Sequence, residues 1–129
     1  GYMLQKDNLL PWRTIYQNVL FGLEIRHTLS PDTRQRADRL LRTYGLWEFR
    51  HKYPAQLSGG MRHRVALGRT FLSNANLMIL DEPFRGLDEE LKERIVQRLW
   101  KETTKGKTVI LISHNSGDCE KLSEKVVWI

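Results

Sequence analysis

"LMILDEP", residues 77–83, decides the fold of this chain. Leu77, Met78, Ile79 and Leu80 form a short apolar run of strand length, and they deliver Asp81 and Glu82 to the strand's C-terminal end. Ligands of parallel sheets bind at that end. An acid there can hold a magnesium ion through water, because Mg²⁺ prefers a few carboxylates together with phosphate oxygens. A second, adjacent acid can orient or deprotonate an attacking water.

Downstream, "PFRGLD" leads to Asp88, Glu89 and Glu90, whose negative charge favours a helix start through the helix dipole. Leu91, Ile95 and Leu99 then fall on one side of that helix. Gly106 turns the chain into "TVILI", a second buried strand, which ends at His114 in "ISH". In a parallel sheet the two strand ends can lie side by side, bringing the histidine near the carboxylates. An imidazole so placed can hydrogen-bond a terminal phosphate. The polar turn "SHNSGD", a short helix and a strand at "KVVWI" follow. Strand and helix alternate over the second half, which argues for an α/β fold with a parallel sheet and crossover helices.

Upstream, "GYML" reads as a short strand and "QKDNLLPW" as a turn with an apolar tip. Ile15, Val19 and Leu23 have helical spacing behind Thr14 as N-cap. Ser30 and Pro31 open a second helix carrying Ala37, Leu40, Leu41 and Tyr44, with Gly45 at its C-terminal end. Met61, Val65, Gly68 and Leu72 mark a third. Its entrance is "LSGGM", residues 57–61, where Ser58, Gly59 and Gly60 offer backbone N–H groups, a hydroxyl and the positive end of a dipole. That description suits an anion site and an ordinary serine-capped helix equally well.

Composition narrows the classes. With 129 residues, 40% hydrophobic and 28% charged, the chain fits one modest globular domain rather than a disordered segment. Its longest apolar runs are far too short to span a bilayer. No signal segment opens it, and its single cysteine, Cys119, excludes an internal disulfide and suits a reducing, cytoplasmic setting. The net charge of +6 invites a polyanion, but the arginines of "RQRADRLLR" fall mostly on the polar side of a helix. His27, His51 and His63 read as surface or satisfied histidines, and no His/Cys spacing suggests zinc.

Taken in order, Gln5 in "YMLQ", "LSGGM", "LMILDEP", "GLD" and His114 in "ISH" resemble the motifs of the nucleotide-binding domain of ATP-binding cassette (ABC) proteins. The resemblance implies the C-terminal part of a P-loop NTPase, RecA-like parallel sheet core with an inserted α-helical subdomain. Residues 1–6 would end a core strand and form the glutamine loop, 7–57 the helical subdomain, and 58–129 the signature helix and the rest of the ATPase core. It further implies ATP and Mg²⁺ as cofactors. Asp81 resembles the magnesium-side aspartate, Glu82 the general base, His114 the switch histidine, and Gln5 the glutamine that senses the magnesium and the attacking water. Ser58, Gly59, Gly60 and Asp88 would meet nucleotide held by the opposite subunit of a head-to-tail dimer.

"QKDNLLPWRTIYQNVLFGLEI", Met61 and "DEPFRGLD" look more narrowly like importers of the nitrate, sulfonate and taurine group. Leu10, Pro11 and Trp12 would then contact a transmembrane permease, the subunit being peripheral on the cytoplasmic face of the membrane, with no nucleic acid expected. Arg85 and Asn115 depart from the family's usual residues. The larger departure is that no G-x-x-x-x-G-K-[ST] loop occurs here; "GKT" at 106–108 precedes a strand, where a phosphate loop must precede a helix. The expectation is a chain that starts after its P-loop and does not turn over ATP alone. The alternatives are a non-transport ABC ATPase acting on ribosome or DNA, and a non-catalytic fragment that lends its signature to a partner.

Overall fold

A computed structural model describes residues 1–118. Cys119, the "KVVWI" strand and all but residues 116–118 of the expected final helix lie outside the described residues. The elements are β1 (Tyr2–Met3), α1 (Ile15–Ile25), α2 (Pro31–Thr43), α3 (Gly59–Leu72), β2 (Leu77–Asp81), α4 (Glu89–Thr104) and β3 (Thr108–Ile112), with 3-10 turns at Trp47–Phe49 and Pro54–Gln56. They form two compact units, one of residues 6–74 and one of residues 1–5 with those from Ala75 onward.

In the second of these units three parallel strands lie in the order β1-β2-β3. Tyr2 pairs with Ile79, and Leu77 through Asp81 pair in step with Thr108 through Ile112. The strands alternate. Met3, Met78 and Leu80 are buried, whereas Tyr2, Leu77, Thr108, Ile110 and Ile112 are exposed. α4 packs against β3 and buries Leu91, Ile95 and Leu99.

The C-terminal end of α4 holds a buried carboxylate, Glu102. Arg98 Nε lies 2.9 Å from its Oε1 and Lys107 Nζ 2.5 Å from its Oε2. Burial raises the Glu102 pKa, but the Lys107 and Arg98 contacts outweigh it and leave the carboxyl below its ordinary range. A carboxyl depressed on folding stabilises the protein above its unfolded pKa and loses that contribution as pH falls through the folded value. Glu102→Gln is therefore expected to cost about 1–3 kcal/mol at pH 7. It should also flatten the loss of stability below about pH 4.3, both read from melting curves against pH.

The helical unit is built on caps the sequence announces. Thr14 Oγ1 accepts from Gln17 N–H at 3.2 Å while Gln17 Oε1 accepts from Thr14 N–H at 2.9 Å. Ser30 and Thr33 form a second reciprocal pair in front of Pro31, and Gly45, at φ 69°, takes the left-handed turn after α2. Ile15, Val19, Leu20 and Leu23 of α1 are buried with Ala37 and Leu41 of α2 and Val65, Leu67 and Phe71 of α3. A Cβ on Gly68 would stand 2.5 Å from Leu40 Cδ2, so the absence of a side chain there admits α2 onto α3.

α3 groups with the helical unit, and the division falls between Asn74 and Ala75. The physical reason is that α3 packs on α1 and α2, and its arginines bind the segment that opens the unit. The other division falls between Gln5 and Lys6.

Candidate functional site

The C-terminal ends of the three strands gather four of the singled-out residues. Asp81 closes β2, Glu82 follows it, His114 lies two residues beyond β3, and Gln5 two residues beyond β1. Because β2 and β3 are direct neighbours in register, with Asp81 opposite Ile112, Glu82 and His114 meet just beyond the two strand ends.

Glu82 has an unusual backbone. Its φ is 49°, in the left-handed region, where a non-glycine residue costs on the order of 1 kcal/mol or more. Its N–H donates to Ile112 O at 2.8 Å, and its own carbonyl accepts from Arg85 N–H at 3.2 Å, so neighbouring strand and following turn enforce the kink. The side chain is half-buried at the strand end. Its Oε1 accepts from the His114 backbone N–H at 2.7 Å and also contacts the imidazole Nδ1. Burial raises the Glu82 pKa, but the side-chain and backbone hydrogen bonds from His114 outweigh it, and the carboxyl sits below its ordinary range. Glu82 is thus an ionised acceptor in a partly desolvated position. With Nδ1–H directed at Glu82, the His114 ring can donate from Nε2 only when protonated; its side chain is 90% exposed.

Asp81 is half-exposed and has no hydrogen bond or ion pair from its side chain among the described residues. No group of three acids, histidines or cysteines suited to a metal occurs among those residues either. A single free carboxylate beside a second one fits Mg²⁺, which takes one or two protein carboxylates and completes its shell with water and phosphate. Asp88 has a structural duty as well: its Oδ1 accepts from Leu91 N–H at 2.8 Å and caps α4.

On the helical unit, Ser58 is the N-cap of α3, its Oγ accepting from Met61 N–H at 3.2 Å. Gly59 and Gly60 occupy the first turn, whose N–H groups have no partner within the helix. The first turn of α3 carries no acid, whereas that of α4 carries Glu89 and Glu90. α3 therefore leaves the positive end of its dipole open to an anion and α4 does not. A Cβ on Gly59 would meet nothing closer than Arg62 Nη2 at 3.9 Å. The fold itself does not demand glycine there.

Three residues that the sequence reading passed over order the segment after Gln5. Arg62 Nε donates to Asp7 Oδ2 at 3.0 Å, and Arg69 donates to Asp7 O at 2.9 Å and Asn8 O at 3.1 Å. Asn18, fully buried, accepts from Leu10 N–H at 2.8 Å and donates to Leu10 O, Arg13 O and Thr14 O at 3.0–3.1 Å. The loop it ties presents Trp12, 71% exposed, and exposed Pro11, with Leu10 half-buried. The one available signal was a polar residue, Asn18, next to Val19 on the buried stripe of α1.

A family model described as ABC transporter matches residues 1–85. An uncharacterized ABC transporter ATP-binding protein of Bacillus subtilis, YtlC, is 45% identical over 129 residues, covering 98% of this chain and 49% of its own length. The taurine import ATP-binding protein TauB of Roseobacter denitrificans is 37% identical over 130 residues, covering 98% and 48%. Among solved structures, a dimeric ATP-binding cassette, MJ0796, bound to ADP and Pi is 29% identical with a TM-score of 0.76, covering 94% of this chain and 54% of that one. The structure of an ATP-binding subunit of an ABC transporter has a TM-score of 0.87 at 26% identity, covering 94% and 50%. The chain spans about half the length of the curated relatives it matches.

Proposed function

The chain belongs to the ABC transporter ATP-binding family, with a partial P-loop NTPase α/β fold, and from that premise we propose that it works within an ATP-hydrolysing importer subunit. No helix among the described residues is long and apolar enough to cross a membrane. The proposed setting is the cytoplasmic face, beside a permease contacted through Leu10, Pro11 and Trp12. Small solutes of the nitrate, sulfonate and taurine kind are the proposed cargo, supported by the names of relatives at 37% identity.

The observation that carries the reading is Glu82: an ionised carboxylate in a strained backbone position, held by His114 and adjacent to the free carboxylate of Asp81. Strain of this kind persists where the surroundings over-determine it, and it clusters at active sites. In the proposed reaction Glu82 accepts the proton of the attacking water, with Gln5 beside it, and His114 contacts the terminal phosphate. Asp81 would hold Mg²⁺, which supplies charge neutralisation on the phosphates when bound. Ser58, Gly59 and Gly60 would present the open end of α3 to ATP held by a second ATPase subunit, with Asp88 at the same interface. The dimeric cassette among the similar structures supports that arrangement.

The test joins this chain to the non-matching half of YtlC and measures Mg-ATP-dependent phosphate release. Hydrolysis by the joined protein and none by the chain alone is the expected result; an inactive joined protein that still binds ATP would refute the catalytic assignment. In the same protein, Ser58→Ala should cost about 1 kcal/mol of stability through the lost cap. If the turn also meets nucleotide, hydrolysis should fall by about tenfold or more, beyond what that small loss in folding explains.

A further inference from the structure

Lys92, near the start of α4, is tied to both segments that carry the Glu82–His114 contact. Its ammonium pairs with Asp118, four residues beyond His114. The same ammonium lies 5.6 Å from the centroid of the Phe84 ring, two residues beyond Glu82. Phe84 and Asp118 are both buried. The Lys92 and Asp118 side chains are 19% and 8% exposed, against 52% and 78% for the Arg94–Glu90 pair on the same helix. An exposed pair of the second kind contributes little, whereas removing one partner of a buried pair strands the other charge.

Both segments are closed by turns that can pass a position on to the dyad. After Glu82, Arg85 N–H donates to Glu82 O and Leu87 N–H to Phe84 O, each at 3.2 Å. After His114, Asp118 N–H donates to Asn115 O at 3.2 Å, and Gly117 N–H donates to Asn115 Oδ1 at 3.0 Å. Asn115, a departure from the family's usual residue, thus closes the turn between His114 and Asp118. The base of the brace is a helix: Lys92 N–H donates to Asp88 O at 2.9 Å. A catalytic group acts only while it is held in place, and a misplacement of about 1 Å can cost about 10²-fold in rate. We propose that Lys92 is a positioning residue, which bridges Phe84 and Asp118, keeps the Glu82 carboxylate in contact with His114, and so sets the rate of hydrolysis without touching nucleotide. The effect on rate rests on the ATP-hydrolysing reading above; the brace itself does not.

Lys92→Met removes the charge and keeps an unbranched apolar stem. In this chain alone, NMR follows the backbone amide and ring signals of His114, and Glu82→Ala marks where they lie once the contact is lost. Lys92→Met is expected to move them at least halfway to the Glu82→Ala positions. Lys92→Arg should leave them close to their original places, and Arg94→Met, which breaks the exposed pair, should not move them. His114 signals unmoved by Lys92→Met overturn the proposal. Where Lys92→Met loses the circular dichroism of the chain, Asp118→Asn is read in its place by the same criterion. In the protein joined to the non-matching half of YtlC, Lys92→Met should lower kcat about tenfold and leave KM for Mg-ATP within about twofold, with most of the rate restored by Lys92→Arg. A raised KM at unchanged kcat would place Lys92 at the nucleotide and overturn the proposal, as would unchanged kcat and KM. A joined protein inactive in every form, beside His114 signals that follow Lys92, leaves the brace in place and counts against the nucleotide reading instead.

Discussion

Asn18→Leu is expected to destabilise the helical unit by about 3 kcal/mol, more than any surface change, although leucine fits the apolar stripe better than asparagine does. Asn18 is fully buried and its amide serves four backbone groups: Leu10 N–H and the carbonyls of Leu10, Arg13 and Thr14. Leucine matches the volume but leaves Leu10 N–H and the Arg13 carbonyl without that partner, and an abandoned buried polar group costs about 1–3 kcal/mol; Leu10 O keeps Arg13 N–H at 3.1 Å. Thr14 O keeps the Asn18 backbone N–H at 2.9 Å, so α1 itself should persist. Two measurements check this: a urea midpoint shift of the size given, and selective loss of hydrogen-exchange protection at the Leu10 amide. A global loss of protection with no excess at Leu10 would refute the local account.

Glu82→Gln should have the largest effect on chemistry, lowering hydrolysis in the joined protein by about 10²–10⁴-fold while nucleotide binding persists. The amide oxygen still accepts the His114 N–H that Glu82 Oε1 accepts at 2.7 Å, so geometry is conserved and only the proton acceptor is lost. The pH dependence has a definite sign. Glu82 is depressed below the ordinary carboxylate range, so it stays ionised through neutral pH and remains a base as pH falls toward about 4.3. Any loss of rate between pH 8 and pH 5 must then come from another group. Since a depressed carboxyl stabilises the fold only above its unfolded pKa, Glu82→Gln should also remove part of the acid sensitivity of folding. Glu82→Gly makes the complementary point: it should lower hydrolysis at least as far but relieve the left-handed strain, offsetting part of the lost His114 contact.

Much of the site was legible because its residues sit at ends of elements that local pattern defines. "LMIL" and "TVILI" are strands by composition, so Asp81, Glu82 and His114 had to fall at strand ends; the pairing of β2 with β3 then made them neighbours. Ser58 and Asp88 were legible as helix entrances, and both are N-caps. What escaped was everything that depends on contacts distant in sequence. Arg62 and Arg69 look like a solvated basic face of α3, yet they bind Asp7 and Asn8. Their side chains reach a backbone segment more than fifty positions away, and no local pattern marks such a meeting. The packing of α3 on α1 and α2 likewise rests on contacts distant in sequence: motif order along the chain is not packing order in space.

The amino-acid sequence by itself determined the class of this protein. Periodicity and capping are local properties, and together with the order of "LSGGM", "LMILDEP" and "ISH" they fixed the strands, the helices and the positions of Asp81, Glu82 and His114 at strand ends. Only the tertiary structure decided how those residues are conditioned. The left-handed backbone of Glu82 is imposed by Ile112 O on the neighbouring strand and by the turn to Arg85; its lowered pKa comes from His114, just beyond the end of that strand. Strain and electrostatic shifts arise from groups brought together across the sheet, and a sequence carries them only through the fold that it specifies.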